Sequence, residues 1–68
     1  MRTFTAVVQR SPDSSVHVGY IPGLAGAHAQ GETLDELNTN LVEVLALILE
    51  DGEPAFETEF AGILIVRV

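Results

Sequence analysis

An α+β domain with the element order β-β-β-α-β is the fold class that three features of the sequence predict. Residues 2–10, rich in Thr and Val, and residues 16–21 alternate in polarity as half-buried strands do, with a turn cluster between them. Residues 33–50 repeat apolar side chains at helical spacing behind a strong start signal. The closing segment carries FAGILIV, residues 60–66, an apolar run without alternation, as expected of a strand covered on both faces.

The first strand, residues 2–10, alternates Phe4, Ala6 and Val8 on one face. SPDSS at 11–15 supplies Pro and Asp where a type I turn favours them. The second strand, residues 16–21, sets Val16, Val18 and Tyr20 on one face and His17, Gly19 and Ile21 on the other. Pro22-Gly23 turns the chain, and Gly26 makes the connection longer than a two-residue hairpin loop. A short third strand over residues 27–30 completes a meander.

Gly31 then lets the backbone bend out of the sheet at little steric cost. Thr33 occupies the N-cap position, and Glu36 three residues on completes a capping box. Asp35 and Glu36 place negative charge in the first turn, where the helix dipole favours it. The helix is predicted to end near residue 50 or 51, with Gly52 as the C′ residue and Pro54 blocking continuation. Leu34, Leu37, Leu41, Val44, Leu45 and Ile48 form the stripe expected on the sheet. Glu36, Glu43 and Glu50 lie opposite it, with Leu47 among them. Val42 and Leu49 widen the apolar flank beyond what one sheet face needs.

In the closing segment, residues 56–68, Ile63, Leu64, Ile65 and Val66 show no alternation, as in a strand covered on both faces. A right-handed crossover through the helix sets this strand parallel to the first. The expected sheet is therefore four-stranded and mixed, order 3-2-1-4, with the helix on one face. Its fourth strand lies at an edge yet reads as covered. The expectation is a homo-oligomer, a dimer or a tetramer, in which a second chain covers Ile63 to Val66.

Sixty-eight residues form a single domain, and a chain this short buries only about 60% of its unfolded surface. With no cysteine, neither disulfide nor thiolate metal site braces it, so a partner subunit is a natural source of stability. Ten acidic residues against three arginines give a net charge of −7. That disfavours direct nucleic-acid binding, which depends on releasing counterions to Lys and Arg. It gives weak support to a basic protein partner, because acidity also serves solubility. The N-terminus lacks a signal-peptide core, and no apolar run approaches the roughly 20 residues that span a bilayer. The expected location is cytoplasmic, away from the membrane.

Catalytic chemistry finds little footing. A two-metal nuclease needs converging carboxylates, but residues 2–10 contain none and Glu36, Glu43 and Glu50 face away from the sheet. Glu57 and Glu59 are the remaining acids near a strand. His17 and His28 sit on neighbouring strands, but no HxxxH or HExxH spacing supports a zinc site, and two unrelated histidines is the favoured reading. Ser11, Ser14 and Ser15 are explained by the turn, with no GxSxG elbow. Gly23, Gly26 and Gly31 do not match GxGxxG, and the acids that follow would repel a phosphate. No enzyme, cofactor or metal site is expected.

Tyr20-Ile21-Pro22, Gly26 and then Gln30-Gly31-Glu32-Thr33-Leu34-Asp35-Glu36 resemble the hallmark of HicB-like antitoxins, and LEDGEP at 49–54 resembles that family's helix exit. The similarity spans almost the whole chain. It implies a partial RNase-H-like fold without nuclease activity, consistent with the missing carboxylates. It also implies a HicA-type partner, a small basic protein that cleaves mRNA with a histidine the antitoxin covers. Tyr20, Pro22, Gly26, Glu36, Glu43 and Leu47 are the candidate partner contacts, with Gly31, Thr33, Glu36 and Gly52 as the structural motif.

Two departures limit what carries over. Many HicB proteins add a C-terminal DNA-binding region, whereas this sequence stops at Val68 in its closing segment, so operator binding is not expected of it. Ala25 stands where the family has a second proline-like loop position, which bears on loop stiffness. The rival expectation is an orphan domain that self-associates and has no toxin partner.

Overall fold

The computed structural model describes residues 2–68. Its elements are β1 (Val7–Arg10), β2 (His17–Tyr20), β3 (His28–Gly31) and α1 (Leu34–Glu50). The strands form one antiparallel sheet in the order β1-β2-β3, with Val8 opposite Gly19, and Gly19 opposite Ala29. This is an α+β fold with the expected meander and the expected helix.

The first two strands are shorter than the alternation predicted, and the third keeps its expected length displaced by one residue. β1 begins at Val7, because residues 2–6 lie beyond the end of the β2 ladder at Tyr20. The 11–15 turn closes through Ser14 N–H to Ser11 O at 3.3 Å, and Val16 N–H donates to Ser14 Oγ at 2.9 Å. Between β2 and β3 the chain makes two consecutive turns. Leu24 N–H donates to Ile21 O and Ala27 N–H to Leu24 O, each at 3.2 Å, with Gly23 and Gly26 at φ +81° and +79°. Those angles suit glycine at the third position of a type II turn, and Pro22 fits the second position of the first one. Ile21 N–H to Ala27 O, 2.9 Å, ties the loop's base.

The strand-to-helix switch works as the sequence expects. Glu36 N–H donates to Thr33 Oγ1 at 3.1 Å, and Thr33 is extended at φ −129°, ψ 163°. The Glu36 carboxylate accepts from Glu32 N–H rather than from Thr33, a capping box displaced by one residue. At the far end, Asp51 and Gly52 N–H donate to Ile48 and Leu49 carbonyls, and Gly52 takes φ +105°.

Helix α1 packs over β2 and β3 but not over β1. Close approach is possible because Gly19 and Gly31 lie under it. A Cβ on Gly31 would sit 2.6 Å from Leu37 N, and one on Gly19 3.1 Å from the tips of Leu37 and Leu41. Leu37 and Leu41 are buried, Val44, Leu45 and Ile48 are half-buried, and Asn40 Nδ2 donates to Gln30 O at 2.8 Å. A second cluster joins Ile21, Leu24 and Ala27 to Phe4, Leu45 and Ile48. Leu34 departs from the expected stripe. It is 61% exposed, because the first helical turn overhangs the end of β3.

The closing segment is where expectation and structure part. Residues 56–68 form no strand, so the sheet has three strands rather than four and is antiparallel rather than mixed. Ile63, Leu64, Ile65 and Val66 are not covered on two faces; they are 86%, 90%, 100% and 76% exposed. The physical reason is supply. The helix sits over β2 and β3, so a single chain offers this edge no covering layer.

Candidate functional site

The six candidate contact residues fall on two separate surfaces. Tyr20 and His28 pair across β2 and β3, and pairing places them on the sheet face turned away from the helix. They border the Pro22–Gly26 turns, and Tyr20, Gly23, Leu24, Gly26, His28 and Glu57 line a shallow depression of ≈ 300 Å3 there. Gly26 is at its exposed apex, where an added Cβ would meet nothing within 4 Å.

Glu36, Glu43 and Leu47 lie on the outward side of α1, on the other side of the sheet. Glu50 continues that row, Leu47 is 66% exposed within it, and the helix carries no basic residue in its last turn. The row is an acidic ridge with one apolar step. Glu36 is partly committed to the helix cap, which leaves Glu43 and Glu50 as the acids with no hydrogen-bond partner in the fold among the described residues.

The histidines do not converge. His17 pairs with Gly31 and His28 with Tyr20, at opposite ends of the β2–β3 ladder and on opposite faces. Among the described residues no group of three His, Cys, Asp or Glu is placed to hold a metal ion. Among the described residues His17 Nδ1 is buried without a hydrogen-bond partner.

One surface went unread in the sequence. Between α1 and the residues leading into β1 lies a cleft of ≈ 240 Å3 lined by Phe4, Ala6, Ile21, Leu41, Val42 and Leu45, among others. The widened apolar flank at Val42 was its only signal. The chain leaving the helix runs to the mouth of this cleft. Phe56 stacks on Phe4 at 6.3 Å between ring centroids, and Glu57 N–H donates to Gly23 O at 2.8 Å. Arg2 packs over the Phe4 ring and bonds the Glu53 carboxylate.

Fold and surface together define a small helix-on-meander domain with an acidic ridge on its helix and an apolar cleft beside Phe4. No family model matches the chain, and no solved structure matches it. It is, however, 35% identical over 68 residues to a UPF0150 protein of Thermotoga maritima, covering 98% of this chain and 91% of that one. A UPF0150 protein of Synechocystis is 40% identical over 60 residues (88% and 86% covered), and one of Archaeoglobus fulgidus 34% over 65 (96% and 93%). The chain belongs to the UPF0150 family.

Proposed function

We propose that this chain is a non-catalytic HicB-like antitoxin module that binds a small basic HicA-type mRNA-cleaving toxin and occludes its active site. The observation that carries the reading is the acidic ridge Glu36–Glu43–Glu50 with Leu47 in its middle, exposed on a chain of net charge −7. Such a surface steers a basic partner into encounter and offers an apolar anchor once there. The Q-G-E-T-L-D-E junction supports the same reading, since it fixes the ridge relative to the sheet through Gly31, Thr33 and Glu36. The partial RNase-H-like sheet of order 3-2-1-4 belongs to this proposal, with its fourth strand drawn from residues 56–68 in the assembled protein. So does a cytoplasmic setting; among the described residues no helix is long and apolar enough to cross a membrane.

The test is co-expression and pull-down with any small basic protein encoded next to the gene for this chain. Capture and rescue of growth are expected, and Glu43→Lys should weaken binding about tenfold or more. Absence of any captured basic neighbour would overturn the reading. The second reading, a self-associating domain with no toxin, is favoured by a different observation, the bare apolar segment at 60–68.

A further inference from the structure

We infer that residues 60–68 are an exchanged strand, which pairs with the open edge of β1 in a second copy of this chain and fills that copy's cleft beside Phe4. Four features converge on this. Among the described residues β1 pairs only with β2, so its other edge presents unpaired N–H and C=O groups, a template for an incoming strand. The cleft between α1 and the approach to β1 is apolar and uncovered, bordered by Phe4, Ala6, Leu41 and Val42.

The third feature is the segment itself. Phe60, Ile63, Leu64, Ile65, Val66 and Val68 are all exposed, and Arg67 is the one charge among residues 60–68. A run of this composition has strong strand propensity, yet it pairs with no strand of its own chain in this structure. The fourth is the tether. Phe56 on Phe4 and Glu57 on Gly23 fix the root of the segment at the mouth of the cleft, after which residues 61–68 stand clear of the domain. Nine extended residues reach about 30 Å, ample to cross to a neighbour.

Edge and strand reside in the same chain, so two copies can satisfy each other reciprocally and the assembly closes as a two-fold dimer. Six apolar side chains per tail, at on the order of 100 Å2 each, give a reciprocal pair roughly 1,200 Å2 of tail surface alone. Counting what those tails cover brings the interface into or above the ~1,200–2,000 Å2 of specific complexes. A second copy is therefore the occupant that the dimensions and chemistry fit. This holds whether or not the chain also binds a toxin.

Cysteine crosslinking tests the exchange directly, because the natural chain has no cysteine. Val8→Cys is mixed with Leu64→Cys or with Ile65→Cys, which samples both faces of the incoming strand, and the mixtures are oxidised. A disulfide joining the two different variants is expected in one mixture, with an intact-chain mass twice that of a monomer. The doubly substituted chains, Val8→Cys with either tail cysteine, serve as the counter-test. A crosslink within a single chain means the strand closes on its own sheet and overturns the exchange. So does a monomer mass at tens of micromolar, or a dimer that forms no mixed disulfide. Ile65→Asp should raise the dimer dissociation constant about 10- to 100-fold, with the helical circular-dichroism signal retained.

Discussion

Leu37 and Ile65 are side chains of the same size, and they have opposite fates. Leu37 lies over Gly19 and Gly31 and is 2% exposed, whereas Ile65 is fully exposed. Around Leu37, three independent local devices agree: a capped helix start, glycines that let the backbones approach, and an amide from Asn40 to the β3 carbonyl of Gln30. Around Ile65 the apolar pattern is denser, but no second layer meets it. Hydrophobic patterning reports how much covering a segment needs. It does not report which chain provides it.

The largest test of that contrast is a pair of alanines. Leu37→Ala should cost about 2–5 kcal/mol. For 68 residues at roughly 0.05–0.15 kcal/mol each, that is much of the total stability, so urea unfolding should shift to far lower midpoint or be lost. Ile65→Ala in dilute chain should leave the midpoint nearly unchanged. Equal losses at both positions would mean that the tail is packed within its own subunit.

A smaller effect is expected at the glycine beneath the helix. Gly31→Ala puts a Cβ 2.6 Å from Leu37 N, against backbone rather than a flexible tip, and should cost about 1–3 kcal/mol through displacement of the first helical turn. Smallest is the cap. Thr33→Ala removes the acceptor for Glu36 N–H and should cost about 1 kcal/mol, with Thr33→Ser restoring most of it in thermal melts.

The parts that were legible in the sequence are those whose causes are local. Thr33 and Glu36 announce the helix start, Gly52 and Pro54 its end, and Pro22-Gly23 the first of the two turns between β2 and β3. What was not legible depends on placement. Leu34 fits the helical stripe by angle, but it overhangs the sheet. Tyr20 and Glu43 are both candidate partner contacts in the sequence, which does not show that they lie on opposite sides of the sheet. The cleft at Phe4 arises because the helix covers β2 and β3 alone, a lateral offset that no periodicity encodes. Residues 63–66 show the same limit from the other direction, since their pattern describes an environment that one chain does not contain.

The mass of the intact chain in solution tests this most directly. Light scattering on the native protein at tens of micromolar should give twice the 7.3 kDa of one chain, and Ile65→Asp should return it toward 7.3 kDa while keeping the helix. A native protein that stays at 7.3 kDa across that range, with residues 60–68 still open to solvent, would contradict the account.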